Sequence, residues 1–233
     1  MPEEQLQLLQ YDCIVMDEGQ DILKPLYMYS LDYLLKGGFE HGHWAVFYDE
    51  KQNIYNPDYQ DGMDILRSYS CTQFKLFVNC RNTIQIGTYS SKMSGVELGE
   101  FLRENGEEVQ KISYTDDTDF NRQIKDVLKH LKKEKVAGRD IAFLAPRRYK
   151  NSMLSAAGIP VNEMGDDFDA SIDLPVYATI QGFKGLDSKV VILTDVEHIR
   201  EENFSRFLYI AGTRARTLLY IAASEKFWSD HEF

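Results

Sequence analysis

The sequence lacks the features of membrane, secreted and metal-finger proteins. No apolar run within its 233 residues approaches the ~18 residues that a membrane-spanning helix needs. The acidic opening MPEEQLQLLQYD has no basic stretch ahead of an apolar one, so it does not resemble a secretory signal. The three cysteines, Cys13, Cys71 and Cys80, are odd in number and have no metal-type spacing. We therefore expect a cytoplasmic protein with reduced thiols and no membrane partner.

Basic residues are fewer than acidic ones, and the net charge is −11. That balance excludes a protein that coats nucleic acid by bulk electrostatics. The acidic excess is concentrated in residues 1–80, whose balance is −8, against −3 for the remainder. A basic groove confined to the second part of the chain therefore remains an alternative. His41 and His43 have no accompanying cysteine pair and indicate a loop before a strand rather than a zinc site.

Short apolar runs alternate with amphipathic stretches along the chain, which predicts an α/β fold with parallel sheets covered on both faces by helices. Helical spacing predicts helices over Pro25–Lys36 and Asp119–Val136. The predicted strands are Cys13–Met16, Trp44–Tyr48, Phe74–Val78, Val109–Ser113, Ile141–Ala145, Val176–Ile180, Val190–Thr194 and Leu218–Ala222.

Acidic residues follow the first predicted strand directly, in the stretch DCIVMDEGQDI. Asp17 and Glu18 stand at the carboxyl end of this strand, where open α/β sheets bind ligands. Such a pair can hold hydrated Mg²⁺ and polarise an attacking water. A solvated turn is the structural alternative. The second predicted strand ends in Asp49-x-x-Gln52, which places an amide where it could sense a terminal phosphate.

Three later stretches carry further candidates. KLFVNCRNT delivers Arg81 just beyond a predicted strand, and RFLYIAGTRARTLLYI places Arg214 and Arg216 between a predicted helix and the last strand. VYATIQGFKGLDSKVVIL places Thr179 to Asp187 between two apolar strands. Each stretch taken alone also fits a structural role, such as a surface ion pair, a turn or a helix C-terminal charge.

Taken together and in this order, the stretches resemble the motifs of UvrD/Rep-type superfamily 1 helicases. IVMDEGQDI resembles the DExQD Walker-B motif, and FYDEKQNIY resembles the GDxxQ-x-I-Y motif. LFVNCRNT resembles L-x-x-N-Y-R-S, ATIQGFKGLDSKVVIL resembles T-x-H-x-x-K-G-L-E, and FLYIAGTRAR resembles L-x-Y-V-A-x-T-R-A. The five motifs extend over nearly the whole chain.

The resemblance implies an ATP-dependent DNA helicase, in which two RecA-like domains clamp ATP and move along single-stranded DNA. It implies that Asp17 binds Mg²⁺ and that Glu18 activates the hydrolytic water. The other implied roles are as follows: γ-phosphate coupling for Gln52, arginine fingers for Arg81 and Arg214, nucleotide contacts for Gly185 and Asp187, and single-stranded DNA contacts for Tyr55, Thr179 and Gln181.

Several positions depart from the family pattern. Gln181 replaces the family's histidine, Gly19 stands where tyrosine or alanine is commoner, and Tyr48 replaces the glycine before Asp49. The chain also contains no Gly-Lys dipeptide, so the phosphate-cradling loop G-x-x-x-x-G-K-[ST] is absent from it.

We therefore interpret the chain as a fragment of a longer helicase-like protein. Residues 1–82 would be a partial first RecA-like domain, and residues 83–233 a second, complete one. The missing part of the first domain would be a partner, and the fragment is expected to be inactive alone and prone to self-association through its open sheet edge.

Two other functions remain alternatives. A degenerate motor fold could serve as a non-catalytic module that binds nucleic acid or protein. A metal-dependent nuclease could use the carboxylates of Asp17, Glu18 and Asp49 without ATP.

Overall fold

The computed structural model of the protein describes residues 9–53, 56–96, 99–103 and 105–231. Contacts divide the chain into two compact units, one ending at Leu76 and the other beginning at Phe77. The sequence prediction sets a domain boundary six residues later, after residue 82. The interpretation of the two units as parts of two motor domains stays a prediction.

The first unit is built on two parallel strands, β1 (Cys13–Met16) and β2 (His43–Val46), in register from Cys13 opposite His43 to Met16 opposite Val46. Ile14 and Met16 pack toward the core of this unit, whereas Val15 on the opposite face is 65 % exposed. The apolar run of β1 predicts burial on both faces, and for Val15 that prediction is wrong. The elements are β1 (Cys13–Met16), α1 (Gly19–Ile22), α2 (Pro25–Leu34), α3 (Gly38–His41), β2 (His43–Val46), a 3₁₀ turn (Glu50–Gln52) and α4 (Tyr59–Ser68).

The strands of the second unit are β3 (Val78–Asn79), β4 (Glu100–Phe101), β5 (Gln110–Tyr114), β6 (Ile141–Ala145), β7 (Asn162–Glu163), β8 (Val176–Thr179), β9 (Ser188–Leu193) and β10 (Ala215–Ser224). Six of them form a sheet in which every neighbouring pair is parallel, with strand order β5-β10-β9-β6-β8-β7. The two short strands β3 and β4 form a separate parallel pair. The helices are α5 (Ile84–Ser94), α6 (Asp117–Lys133), α7 (Met153–Ala156), α8 (Phe204–Gly212) and α9 (Glu225–Asp230).

The core of the second unit follows from the residues of its central strands. All five residues of β6 are buried, as expected for a strand with neighbours on both sides and cover on both faces. Helix α6 packs on the sheet through Phe120, Ile124 and Leu131, which recur at helical spacing. The Asp116 carboxylate caps this helix by accepting a hydrogen bond from the backbone N–H of Asp119.

The predicted fold class is confirmed, because helices and parallel strands form an α/β structure around a six-stranded central sheet. The predicted strand Phe74–Val78 is wrong over most of its length, since only Val78 belongs to a strand. Phe74 and Leu76 are each 87 % exposed, so an apolar run here does not indicate burial. Among the helices of the described ranges, none has the length and apolar character needed to cross a membrane.

Candidate functional site

The first acidic pair lies where β1 ends. Asp17 is exposed, and its Oδ1 accepts a hydrogen bond from the backbone N–H of Glu18 at 2.8 Å. Glu18 has a left-handed backbone conformation with φ of 51°, which is uncommon for a residue with a side chain. This turn ends the strand at once and directs the chain into α1.

A buried glutamine connects the two strand ends of the first unit. Gln20 is 1 % exposed, and its Nε2 donates to Oε2 of Glu18, while its Oε1 accepts from the backbone N–H of Asp49 at 2.9 Å. Gln52 in turn donates from Nε2 to Oδ2 of Asp49 at 2.8 Å. Glu18 and Gln52, which the sequence places in separate motifs, therefore belong to one hydrogen-bonded chain.

Asn56 stabilises the backbone of the segment that carries Gln20. Its Nδ2 donates to the carbonyl oxygens of Gln20 at 3.1 Å and Leu23 at 2.7 Å, and the residue is buried. Tyr55, the neighbouring candidate for DNA contact, lies outside the described residues, so its role stays a prediction.

The two unusual residues of these motifs, Gly19 and Tyr48, lie next to each other. A Cβ atom added at Gly19 would lie 2.7 Å from Cγ1 of Val46, 3.1 Å from the carbonyl oxygen of Phe47 and 3.2 Å from Cβ of Tyr48. The backbone N–H of Gly19 already donates to that Phe47 oxygen at 2.8 Å. The lack of a side chain at Gly19 therefore accommodates the close approach of Val46 and the backbone of Phe47, with Cβ of Tyr48 next nearest.

We expect Gly19→Ala to destabilise the first unit by about 1–3 kcal/mol, although alanine favours helix over glycine, because the methyl group overpacks the contact with β2. Urea unfolding can be followed by tryptophan fluorescence in a Trp228→Phe background. Trp44 is then the remaining tryptophan, so the signal measures the unfolding of the first unit. Val46→Ala in the same chain should show favourable coupling of at least ~0.5 kcal/mol with Gly19→Ala, because it removes the atom nearest to the added methyl group. Strict additivity of the two changes would contradict this overpacking.

Two of the predicted residues in the second unit lie at the carboxyl edge of its sheet. Thr179 is the last residue of β8, and its Oγ1 accepts a hydrogen bond from the backbone N–H of Gly182 at 3.0 Å. Gln181 follows in the same turn and is partly exposed. These positions fit a surface contact, and their predicted contact with DNA stays a prediction.

The other predicted residues lie at the opposite, amino edge. Asp187 immediately precedes β9, and its carboxylate lies between two guanidinium groups, with Oδ2 at 3.7 Å from Nε of Arg81 and Oδ1 at 3.2 Å from Nε of Arg216. Gly185, with φ of 82°, supplies a left-handed turn just before this point. The segment between β8 and β9 therefore joins the two edges of the sheet.

A cavity of about 590 Å³ opens at this amino edge. Four of its lining side chains carry positive charge and one carries negative charge. The lining residues are Cys80, Arg81, Arg103, Asp187, Lys189, Arg216 and Thr217.

Arg214, the second predicted arginine finger, is 1 % exposed. Its Nε donates to the carbonyl oxygen of Ile210 at 3.0 Å, and its Nη1 donates to that of Leu186 at 3.3 Å. These contacts attach the end of α8 to the segment before β9. The structure therefore brings Arg81 and Asp187 together, and the arginine that joins them is Arg216 rather than Arg214.

Two residues with clear structural parts in these sites, Gln20 and Arg103, are absent from the sequence-based candidates, whereas Arg216 was named beside Arg214 but given no role. A signal for Gln20 was available, because it follows the acidic pair in the Walker-B-like stretch. Arg103 has no such signal, since it lies in no motif and reaches the site only through tertiary structure.

The residues at the end of β1 fit a hydrated magnesium ion. Mg²⁺ is usually held by one or two carboxylates together with water and substrate phosphates, and the exposed carboxylate of Asp17 meets that need. The described residues contain no group of three or more acidic, histidine or cysteine side chains that could hold a metal ion by themselves. The described residues therefore do not contain the three-carboxylate cluster that the nuclease alternative requires.

Comparisons with known proteins give little further guidance. No protein-family profile and no curated protein matches the chain. Among solved structures, the chain is similar to the C-terminal domain of a possible DNA helicase from Lactobacillus plantarum WCFS1. The two share 20 % sequence identity over 63 % of this chain and 88 % of that chain, with a TM-score of 0.49.

Proposed function

We propose that the chain is part of an ATP-dependent, UvrD/Rep-type superfamily 1 helicase that couples ATP hydrolysis to movement on single-stranded DNA. The observation that supports this function best is the hydrogen-bonded chain through Glu18, Gln20, Asp49 and Gln52. It connects the ends of two parallel strands, so a change at one acidic motif would act on the other through these hydrogen bonds. A pair of unrelated solvated turns would not need a buried glutamine between them.

In this function Asp17 would hold Mg²⁺, which neutralises charge on the phosphate oxygens of ATP. Glu18 would act as the general base that orients and deprotonates the attacking water. Its carboxylate receives a hydrogen bond from the neutral amide of Gln20, which fixes its orientation. Gln52 would report the state of the terminal phosphate to the neighbouring segment, where Tyr55 and the DNA path are expected.

The proposal that the protein binds single-stranded DNA rests on residues of the second unit. Thr179 and Gln181 lie at the carboxyl edge of the sheet, whereas Asp187 lies at the amino edge. The short segment between them would directly connect the proposed DNA contact to the proposed nucleotide contact.

A non-catalytic module is the second candidate, and one observation favours it specifically. The guanidinium of Arg214 binds backbone carbonyl groups in the interior, so it is not presented to a phosphate. The absence of a Gly-Lys dipeptide from the chain points the same way, since the phosphate loop gives the main grip on the β- and γ-phosphates.

ATP hydrolysis with and without single-stranded DNA separates the two candidates. We expect the full natural gene product that contains these residues to hydrolyse ATP with Mg²⁺, faster when single-stranded DNA is added. The 233-residue chain alone should show no measurable turnover. A natural gene product that binds single-stranded DNA but does not hydrolyse ATP would reject the motor and support the binding module.

A further inference from the structure

Helix α6 concentrates positive charge in a chain whose net charge is −11. Residues 120–133, which make up most of this helix, contain five lysine or arginine side chains and one aspartate. Four of the five are lysines, and all four are exposed. These residues are named here the basic stripe: Lys125, Lys129, Lys132 and Lys133.

Helical geometry directs the basic stripe away from the sheet. The buried apolar residues of α6 occupy the face that packs on the six-stranded sheet. Lys125, Lys129 and Lys133 follow one another at intervals of four residues, so they lie along one line of the helix surface. This line is on the side opposite to the buried Leu131, and it rises by about 12 Å.

The positive charge of the basic stripe is not compensated within the part of the chain that the structure describes. None of its four ammonium groups forms an ion pair with a described carboxylate. Arg122 differs, because its guanidinium pairs with the carboxylate of Asp119 one turn earlier. The basic stripe therefore presents free positive charge to solvent.

The spacing of these lysines is unfavourable for the helix itself. Like charges four residues apart destabilise a helix, and the stripe contains two such pairs, Lys125 with Lys129 and Lys129 with Lys133. The helix dipole favours positive charge in the last turn, which accounts for Lys132 and Lys133 but not for the other two. An anionic partner along the stripe would remove this repulsion.

The composition of the exposed side of α6 favours duplex DNA as this partner. Lysine is depleted from protein–protein interfaces, which favour aromatic residues and arginine. Single-stranded DNA sites combine basic groups with aromatic side chains that stack on the bases. Phe120, the aromatic residue of α6, is buried and cannot serve either kind of contact. A DNA duplex needs no stacking partner and carries one negative charge per ~1.7 Å, twice the density of one strand.

We propose that the basic stripe binds the phosphate backbone of duplex DNA without reading its sequence. The line of three lysines covers about 12 Å, along which one strand of a duplex carries roughly three or four phosphates. The acidic first turn of the helix, with Asp117 and Asp119, repels the same backbone and confines the contact to the second half of α6. The choice of DNA rests on the proposed function, which this surface deepens by adding a duplex contact distinct from Thr179 and Gln181.

Fluorescence anisotropy of a labelled duplex of mixed sequence, titrated with the 233-residue chain over a series of salt concentrations, tests this surface. The triple substitution Lys125→Gln, Lys129→Gln, Lys133→Gln should weaken binding about tenfold or more at low salt. It should also make the slope of log K against log salt shallower by about 2–3, because each lost phosphate contact releases one counterion fewer. Lys129→Gln alone should change the slope by about 1. Both variants should stay folded, since they remove exposed charges that repel each other.

A second triple variant removes the same total charge at exposed lysines elsewhere in the second unit. It carries Lys92→Gln, Lys150→Gln and Lys226→Gln, and should weaken duplex binding less than about threefold with a slope change below about 1. Equal effects of the two triple variants would overturn the proposal, because net charge and not the stripe would then control binding. No measurable binding of the unaltered chain to the duplex at low salt would overturn it as well.

Two competitors test the class of partner. Polyglutamate at equal charge concentration should displace the duplex poorly, and equal competition would assign the stripe to acidic proteins instead. The affinity for single-stranded DNA of the same length should change less than about threefold in the stripe variant. A loss as large as that for the duplex would reject the duplex assignment.

The failure of this surface and the failure of the proposed function give different results in the full natural gene product. Stripe-dependent duplex binding without ATP hydrolysis would reject the proposed function and leave the duplex contact standing. Hydrolysis stimulated by single-stranded DNA, with duplex affinity unchanged by the three stripe substitutions, would reject the duplex contact alone.

Discussion

Asn82→Asp should lower the free energy of unfolding of the second unit by about 3–5 kcal/mol, the largest stability change that we expect for a single near-isosteric substitution. Asn82 is 1 % exposed, and its Nδ2 donates to two backbone carbonyl groups. Aspartate has nearly the same shape but presents an oxygen to those carbonyl oxygens. Two hydrogen bonds become two repulsive contacts, and a negative charge is buried against two carbonyl oxygens.

The substitution should also disturb the cavity, because Asn82 follows Arg81 directly and holds its segment against the start of β10. Urea unfolding followed through Trp228 in a Trp44→Phe background measures the second unit alone. Asn151→Asp, at an exposed asparagine, makes the same chemical change and should cost less than about 0.5 kcal/mol. A loss below about 1 kcal/mol for Asn82→Asp would show that these two hydrogen bonds do not hold the segments together.

The sequence alone was sufficient for the elements whose apolar pattern is continuous. Strand Cys13–Met16 and the buried strand Ile141–Ala145 have the predicted bounds, because an apolar run closed by polar residues has one simple interpretation. The candidates at the carboxyl ends of β1 and β2 also follow from sequence, since parallel strands deliver their ends to one edge of a sheet.

The same reasoning does not predict which side chains meet at the opposite edge of the six-stranded sheet. Arg81 and Asp187 are both sequence-based candidates, but only the folded chain shows that they meet Arg216 at the amino ends of β9 and β10. Arg214 and Arg216 are two residues apart, and no sequence pattern decides which of them is buried. That choice depends on the carbonyl groups of Ile210 and Leu186, which only the folded chain places around Arg214.

Exposed apolar residues account for the other wrong predictions, which concern burial. Val15 and the Phe74–Leu76 stretch have the composition of buried strands, yet the described residues do not cover them. Hydrophobicity indicates that a surface favours burial, but it does not identify the segment or partner that covers it.

Glu18→Gln should produce the largest functional change. Glutamine keeps the size of the side chain and an oxygen that can still accept the hydrogen bond from Gln20, so the local structure should be retained. It cannot take a proton from water. Loss of a general base typically costs about 10²–10⁴-fold in kcat, while an interaction that serves only catalysis leaves ground-state binding nearly unchanged.

The most direct measurement is therefore ATP affinity and kcat, side by side, for the full natural gene product carrying Glu18→Gln. We predict that kcat falls about 10²–10⁴-fold while the dissociation constant for ATP changes less than about threefold. Glu40→Gln, at an exposed glutamate of α3, is the matched control and should change neither quantity. Hydrolysis at the unaltered rate in Glu18→Gln would contradict the assignment of the base and, with it, the catalytic reading of the strand ends.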